Sequence, residues 1–251
     1  MMENTLIFDH VFMSFYDLQK ETKVLEDLSF QINVGSIYIL IGPSGCGKST
    51  ILNLVADIIK PTSGNILKPS SIGYMFQKDN LLEWLTILDN VLIGLKIQRK
   101  LTPEAVIYAK ELLVKYGLEE FINAYPSELS GGMRQRVALI RAIIINPKML
   151  LLDEPFSALD SQTRIEVSYD IYNILKDLNI TTLMVTHDIS EAISLADSIL
   201  LLTDRPAKLK EKIDISFRNL TPMERRNNDN FKAYFNKIWG EMNANSTPKI
   251  Y

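Results

Sequence analysis

Five short apolar runs set the basic pattern of the chain. Each run is continuously hydrophobic rather than alternating with polar residues, which is typical of parallel strands that are covered on both faces. The runs are Ile37–Ile41, Ile72–Phe76, Met149–Leu152, Thr181–Val185 and Ile199–Leu202. The pattern therefore predicts an α/β fold whose sheet is rich in parallel strands.

Helical spacing dominates several intervals between these runs. Thr102 and Pro103 form a cap and a first turn, and apolar residues then recur at helical spacing until Gly117. Because this helix falls between the second and third runs, it indicates an inserted helical subdomain. Further helices are predicted over Met133–Ile145, over Gln162–Leu178, and after His187 through Ala196.

The C-terminal part has a pattern of its own. A set of apolar residues there would share one face of a helix: Phe231, Tyr234, Phe235, Ile238 and Met242. Two interpretations are open, because this face could pack on the core of the chain or serve a partner-binding or regulatory role. Residues 243–251 are polar and are predicted to form a disordered tail.

Composition and charge narrow the class of protein. The chain has 251 residues, of which 47% are hydrophobic, enough for one large domain or for a core domain with a smaller subdomain. Its formal net charge is −3, and no Lys/Arg-rich block appears, so a nucleic-acid partner is not expected. No run approaches the roughly 18 apolar residues that span a bilayer. We therefore expect a soluble chain that reaches a membrane only through a partner.

A glycine-rich loop directly after the first run is the strongest chemical signal. It comprises Gly42, Pro43, Ser44, Gly45, Cys46, Gly47, Lys48 and Ser49, and helix-like sequence continues from Thr50. Glycines allow successive backbone amides to converge on an anion at the start of a helix. The order of strand, loop and helix predicts a phosphate-binding loop. Lys48 would reach the β- and γ-phosphates, and the Ser49 hydroxyl would bind Mg²⁺.

The loop also contains the one cysteine of the chain, Cys46. A single cysteine cannot form an internal disulfide, which fits a reducing compartment. We interpret Cys46 as a small buried filler rather than as a metal ligand or a catalytic thiol.

Two carboxylates end the third apolar run. Asp153 and Glu154 follow it directly, and ligands bind at the carboxyl ends of the strands in parallel sheets. Asp153 is predicted to hold Mg²⁺ directly or through water. Glu154, ionised at neutral pH, would orient and polarise a water molecule for in-line attack on a γ-phosphate.

A second glycine turn lies at Leu129–Arg136. Ser130 is predicted to cap the helix that follows, with Gly131 and Gly132 in its first turn. Taken alone, the segment is either a capped helix or a second anion site at a helix N-terminus.

Together these motifs resemble those of ATP-binding cassette (ABC) ATPases. The phosphate loop, Leu129–Arg136, Leu150–Pro155, Ser157–Asp160 and His187 occur in the order found in that family, across about residues 5–205. The resemblance implies a RecA-like P-loop NTPase core, an N-terminal antiparallel β subdomain and a helical subdomain inserted at about residues 78–146. It also implies a single ABC ATPase domain over residues 1–242.

The resemblance further implies that two copies form a head-to-tail dimer. Each ATP would lie between the phosphate loop of one copy and the Ser130 segment of the other, where Ser130 and Gly132 contact the γ-phosphate. The further implied roles are sensing of Mg²⁺ and water for Gln77, coupling of the two sites for Asp160, and a γ-phosphate contact for His187.

An aromatic residue upstream of the phosphate loop stacks on adenine in this family. Phe15 is the first choice for this role and Tyr16 the second. Both rings could instead pack on a sheet. Residues Asp17–Thr22 are interpreted as a slightly lengthened hairpin.

Several segments resemble the nitrate/sulfonate/taurine-type importer ATPases. Phe76–Val91 resembles the segment that meets the permease there, although Glu83 stands where those proteins usually carry proline; the segments Thr186–Ala192 and Arg205–Pro206 also fit. The implied protein is an ATP-hydrolysing subunit on the cytoplasmic face of the membrane, with transmembrane permease subunits and an extracytoplasmic solute-binding protein as partners. A small anion or a sulfonate-like solute would be its cargo.

Two other functions compete with this interpretation. One is a soluble ABC ATPase that remodels a macromolecular complex, and the other is a nucleotide-binding switch without meaningful turnover. Recovery of ribosomes or DNA with the protein would favour the first, and measured phosphate release would exclude the second.

Overall fold

The computed structural model of the chain describes residues 4–17, 20–217 and 220–243. The predicted tail beyond Asn243 lies outside these ranges. In chain order, the elements are β1 (Asn4–Asp17), β2 (Lys20–Asn33), β3 (Ile37–Ile41), α1 (Lys48–Val55), β4 (Ser63–Leu67), β5 (Ile72–Met75), α2 (Ile87–Ile97), α3 (Pro103–Lys115), 3₁₀ turns at Glu119–Phe121 and Pro126–Glu128, α4 (Gly131–Ile143), β6 (Met149–Asp153), α5 (Ser161–Asp177), β7 (Thr181–Val185), α6 (Ile189–Leu195), β8 (Ser198–Leu202), β9 (Leu209–Asp214), α7 (Pro222–Arg226) and α8 (Asp229–Asn243).

All five apolar runs form strands, as predicted. The bounds of β3 and β7 are those expected from the sequence, and those of β5, β6 and β8 differ by one residue at one end. The extension of β6 includes Asp153 in the strand, so its carboxylate stands on the last strand position.

The predicted helices are present with shifted ends. Thr102 caps α3 by accepting a hydrogen bond from the Ala105 N–H, and Gly117 follows the helix with a φ of 73°. α4 begins at Gly131, two residues before the predicted start, because Ser130 supplies the N-cap. The glycines of this turn therefore belong to the helix itself.

The chain forms two compact units. The first is built from residues up to Pro69 and from Thr181 onward, and the second from Ser70 to Ile180. β1, β2 and β4 form an antiparallel sheet in the first unit, in the order β2-β1-β4. The antiparallel N-terminal sheet predicted from the family resemblance is thereby confirmed.

A second sheet of the first unit carries the phosphate loop. β3 pairs in parallel with β7 on one side and with β8 on the other, and β9 adds to β8 in the antiparallel sense. Every residue of β3, β7 and β8 is buried, as the continuous apolar pattern predicts. The carboxyl ends of β3 and β7 consequently share one edge of the sheet.

The C-terminal helices complete the first unit. Ile238 on α8 is fully buried, and the Tyr234 hydroxyl accepts a hydrogen bond from the Ser216 N–H. Lys237 pairs with Glu211 of β9 at 2.6 Å. The apolar face predicted for this helix thus packs on the chain's own core.

The second unit combines a parallel strand pair with helices. β5 and β6 pair in parallel, with Met75 opposite Leu152. Buried residues of α2, α3 and α4 form one hydrophobic cluster that includes Val91, Leu113 and Ile140. Across the described ranges, no helix is both long enough and apolar enough to cross a membrane.

Candidate functional site

The phosphate loop has a backbone that depends on its glycines. Gly45 and Gly47 have φ values of 73° and 123°, in the left-handed region that side chains with a Cβ rarely adopt. A Cβ on Gly47 would also lie 2.8 Å from Val24 Cγ1, a distance that real contacts essentially never show. The glycine at position 47 is therefore required both by conformation and by packing.

The Lys48 side chain folds back across the phosphate loop. Its ammonium donates hydrogen bonds to the carbonyl oxygens of Gly42 at 2.8 Å and Pro43 at 3.0 Å, and the side chain is buried. Ser44 and Ser49 are exposed, and Thr50 is half-buried. The cationic end of Lys48 is thus already directed at the centre of the loop.

Cys46 is buried beneath the loop, with 1% of its surface exposed. Burial raises the pKa of its thiol, which keeps it protonated at neutral pH. This placement agrees with the interpretation of Cys46 as a small filler.

His187 follows β7 at the same sheet edge as the phosphate loop. Its side chain is exposed, and the turn around it is fixed by its neighbours. The Thr186 hydroxyl donates to Glu191 Oε2 at 3.0 Å and accepts from the Asp188 N–H at 3.1 Å. Asp188 in turn caps α6. A buried hydrogen-bond network therefore holds the backbone of His187 in place.

The two candidates for adenine stacking both lie at the end of β1. Phe15 is 44% exposed and Tyr16 is 69% exposed. Because successive strand residues face opposite sides, the two rings belong to different faces of the sheet. The two rings also differ in polarity. The Tyr16 hydroxyl donates to Glu21 Oε1 at 3.4 Å, whereas Phe15 has no polar group.

The second unit brings Gln77, Glu154 and Ser157 together. Gln77 Nε2 lies 3.4 Å from both Glu154 Oε2 and Ser157 Oγ, and the Ser157 hydroxyl donates to the Glu154 carbonyl at 3.0 Å. Glu154 has a φ of 44°, an uncommon conformation for a residue with a Cβ. Such strain persists where the surroundings impose it, and it is frequent at functional sites. Sequence reasoning assigned no role to Ser157.

Asp153 ends β6 beside the aromatic residue Tyr74 of the adjacent strand. Burial raises the pKa of the Tyr74 hydroxyl, and the negative charge of Asp153 raises it further. Asp153 and Gln77 thus stand at the carboxyl edge of the β5–β6 pair, where the sequence predicted ligand-binding groups.

The Ser130 segment is a capped helix start. Ser130 Oγ accepts from the Met133 N–H at 3.4 Å, and its side chain is exposed. Gly131 is exposed, whereas Gly132 is buried; a Cβ on Gly132 would lie 2.9 Å from Val167 Cγ2 of α5. Gly132 therefore has a packing role within the unit that the sequence did not indicate.

Asp160 is the N-cap of α5. Its carboxylate accepts from the N–H groups of Gln162 and Thr163, each at 3.1 Å. A hydrogen bond from the Thr163 side chain is the largest cause of a lowered pKa at Asp160, and the backbone N–H groups of Thr163 and Gln162 lower it further. The family resemblance implied only a coupling role for Asp160, although an Asp directly before a predicted helix is the usual signal of an N-cap.

No preformed cluster of metal ligands accompanies these residues. In the described part of the chain, no group of three or more His, Cys, Asp or Glu side chains is placed to hold a metal ion. Mg²⁺ is commonly bound through substrate phosphates, water and one or two carboxylates, which does not need such a group. The hard oxygen donors of Asp153 and Gln77, which both belong to the second unit, fit that mode.

The fold and these residues define a P-loop nucleotide-binding protein. A family model described as "ABC transporter" matches residues 25–157. Among curated relatives, an uncharacterised ABC transporter ATP-binding protein of Bacillus subtilis, YtlC, is 40% identical over 94% of this chain and 95% of its own length. The chain belongs to the ABC transporter ATP-binding family. The ATPase class that the family resemblance predicted is thereby confirmed.

Other relatives carry transport names. The aliphatic sulfonates import ATP-binding protein SsuB of Bacillus cereus is 36% identical over 93% of this chain and 94% of its own length. The taurine import ATP-binding protein TauB of Yersinia pestis is 39% identical over 77% of this chain and 79% of its own length. These names confirm the resemblance to the sulfonate and taurine group.

A solved structure confirms the fold class. The dimeric, post-hydrolysis state of the ATP-binding cassette MJ0796, bound to ADP and phosphate, matches with a TM-score of 0.72 at 29% identity. The match covers 85% of this chain and all of that one.

Proposed function

We propose that this chain is the ATP-hydrolysing subunit of an ABC importer for a small anion or a sulfonate-like solute. It would act on the cytoplasmic face of the membrane, with separate transmembrane permease subunits and an extracytoplasmic solute-binding protein. The import names of SsuB and TauB support the transport role over a soluble remodelling role. The cluster of Gln77, Ser157 and strained Glu154 carries the proposal for hydrolysis.

In this proposal the phosphate loop, Gly42–Thr50, binds the triphosphate through its backbone amides. Lys48 would exchange its two carbonyl partners for phosphate oxygens, and Phe15 would stack on adenine. Ser49, Gln77 and Asp153 would hold Mg²⁺, which neutralises charge on the phosphate oxygens when bound.

Glu154 would position the attacking water. Its carboxylate accepts a hydrogen bond from Gln77, and Ser157 holds its carbonyl, so both ends of the residue are fixed. The water oxygen attacks the γ-phosphorus while its proton passes to the Glu154 carboxylate and the bond to the bridging oxygen of ADP breaks, which yields ADP and phosphate. His187 would contact the γ-phosphate during this step.

Dimer closure would couple hydrolysis to transport. Solved relatives such as MJ0796 are dimers, which supports a head-to-tail pair in which the Ser130 segment of one copy reaches the nucleotide of the other. ATP contacts favour the closed pair, and hydrolysis allows it to reopen; this alternation would move the permease between its two states. Asp160 would couple the two nucleotide sites.

Glu154→Gln tests the hydrolytic part of the proposal. Gln cannot accept the proton of the attacking water, so we expect turnover to fall by about 100-fold or more while ATP binding and ATP-dependent dimerisation survive. Phosphate release, nucleotide binding and light scattering measure the three properties. Glu120→Gln, an exposed glutamate in a 3₁₀ turn, is the matched control. Turnover of Glu154→Gln equal to that of the control would remove Glu154 from the mechanism.

Isolation of the native complex tests the transport part. We expect an integral membrane permease to accompany the chain from solubilised membranes. Recovery of ribosomes or DNA in its place would overturn the transport proposal.

A further inference from the structure

We propose that Arg134 ties the Trp84 loop, residues 79–85, to the first turn of α4, so that the two move as one body. In this linkage Glu83 is a positioning residue that stiffens the loop. The linkage rests on contacts within the second unit, and only its functional consequence rests on the proposed function.

Arg134 holds the start of the loop through Asp79. Arg134 Nε lies 2.9 Å from Asp79 Oδ2, and Arg134 Nη2 lies 3.0 Å from Asp79 Oδ1. A bidentate pair of this kind fixes the relative orientation of its two planar groups as well as their distance. Arg134 Nη1 also donates to the Pro126 carbonyl at 2.9 Å, which restricts the guanidinium from a third side.

The charge of Asp79 is stabilised in this position. Burial alone would raise the pKa of the carboxyl, but the hydrogen bonds from Arg134 and from the Leu81 N–H lower it below its ordinary value. Arg141, two turns further along α4, donates to the carbonyls of Asp79 and Asn80. Two arginines of α4 therefore bind this loop, Arg134 through the Asp79 side chain and Arg141 through backbone carbonyls.

The far end of the loop is held by α2. Asn90 is fully buried, and its Nδ2 lies 3.0 to 3.1 Å from the carbonyl oxygens of Leu82, Leu85 and Thr86, which share its two N–H groups. Its Oδ1 accepts from the Leu82 N–H at 2.7 Å. Asn90 thus holds Leu82, Leu85 and Thr86, but not the two residues between Leu82 and Leu85, which are Glu83 and Trp84.

Glu83 supplies that missing anchor. The Leu85 N–H donates to the Leu82 carbonyl at 3.0 Å, which closes a turn with Glu83 in its second position. Proline is favoured at this position because its ring fixes φ. Glu83 has no ring to fix its φ, but its carboxylate lies 2.8 Å from Arg134 Nη2. The ion pair restrains the turn in the way that a proline ring would.

α4 receives the restraint at its first turn. The backbone N–H of Arg134, the residue whose guanidinium binds Asp79, donates to the Ser130 carbonyl at 3.0 Å. A displacement of the Trp84 loop would therefore carry Ser130 with it. Trp84 itself is 73% exposed, so its indole reports motion of the loop without serving as a core residue.

Fluorescence of Trp84 tests the linkage in the full chain. The protein has two tryptophans, and Trp239→Phe leaves Trp84 as the single emitter. In this parent, Glu83→Ala should increase the amplitude of fast depolarisation in time-resolved anisotropy roughly two- to fivefold. This is the factor by which the loss of a partly exposed ion pair shifts an equilibrium between a restrained and a mobile loop. Glu83→Pro should restore the parent value. Glu111→Gln, on the exposed side of α3, is the charge-matched control and should leave it unchanged.

Anisotropy at high salt distinguishes restraint by the Glu83–Arg134 ion pair from restraint by a proline ring. At about 1 M salt the screening length is about 3 Å, so the parent should become as mobile as Glu83→Ala while Glu83→Pro stays rigid. Equal decays for the parent and Glu83→Ala at low salt would overturn the role of Glu83. Arg134→Lys keeps the charge but cannot pair bidentately, and an unchanged decay in that variant would overturn the linkage.

ATP provides the second arm. In a Glu154→Gln background, ATP should form the dimer and change the Trp84 emission, and Glu83→Ala should at least halve that change without preventing dimerisation. Dimer formation with no change in Trp84 emission overturns the linked motion alone. Failure to dimerise, by contrast, counts against the proposed function and leaves the anisotropy result standing.

Discussion

Single glycines of the phosphate loop differ in what they allow. Gly47 needs a positive φ and has no room for a Cβ, whereas a Cβ on Gly45 would meet nothing within 4 Å. Alanine at either position carries the cost of the left-handed conformation, about 1–2 kcal/mol. Only at position 47 does a steric clash with Val24 add to it.

We therefore expect Gly47→Ala to be more harmful than Gly45→Ala. Gly47→Ala should lower the free energy of unfolding by about 2–4 kcal/mol and weaken ATP binding strongly, while Gly45→Ala should cost about 1–2 kcal/mol. Urea unfolding and nucleotide titration of both variants measure these effects. Equal losses of stability would show that the clash with Val24 is relieved by local movement.

Asp79 makes a residue-scale prediction about pH. Its pKa is lowered in the folded protein, so its stabilising effect is complete above the ordinary aspartate pKa of about 3.9 and is lost as the pH falls through the lowered value. Asp79→Asn should therefore be less stable than the parent at neutral pH, and the gap should narrow in acid. Urea unfolding at both pH values measures this gap; a gap that is constant with pH would contradict the prediction.

At the scale of elements, continuous apolar runs were a sufficient guide to the five strands β3, β5, β6, β7 and β8. β3, β7 and β8 are buried at every position, so a continuous apolar run was enough to place them. The start of α4 was misplaced because Gly131 and Gly132 are weak helix formers by propensity. The Ser130 cap, which the sequence predicted, and packing against α5 together override that propensity, and only the packing lies beyond what local sequence specifies.

The C-terminal helix can be tested as an element. Ile238 is fully buried whereas its neighbour Trp239 is 57% exposed. Ile238→Ala should lower the free energy of unfolding by about 2–4 kcal/mol, and Trp239→Ala should have a much smaller effect. Chemical denaturation of the two variants gives the comparison. A larger loss from Trp239→Ala would contradict the packing of α8 described above.

At the scale of the whole molecule, the sequence predicted the residues of the site better than the contacts that hold those residues in place. The phosphate loop was named from its glycine pattern, Asp153 and Glu154 from their place at the end of a strand, and Gln77 and His187 from the family resemblance. The contacts that hold them, such as Ser157 on Glu154, join residues whose pairing no local pattern specifies. The family resemblance supplied the dimer, which a single chain cannot display.

Mixing two inactive variants tests the head-to-tail dimer. Lys48→Ala disables the phosphate loop, and Ser130→Arg blocks the segment that would reach the nucleotide of the other copy. Ser130 suits this purpose because it is exposed, unlike Gly132. An equal mixture should recover about a quarter of wild-type turnover, since half of the dimers are mixed and each has one intact site. A mixture as inactive as its components would contradict the shared site.

The hydrogen bonds of Lys48 have a consequence for the energetics of substrate capture. Because its ammonium donates to the Gly42 and Pro43 carbonyls, the folded loop supplies oxygen acceptors for its own cation. Binding then exchanges one set of oxygen acceptors for another and orders little additional backbone. Calorimetry should accordingly find a modest entropic penalty for the loop, and the chain's selectivity for triphosphates would come from charge matching rather than from induced folding.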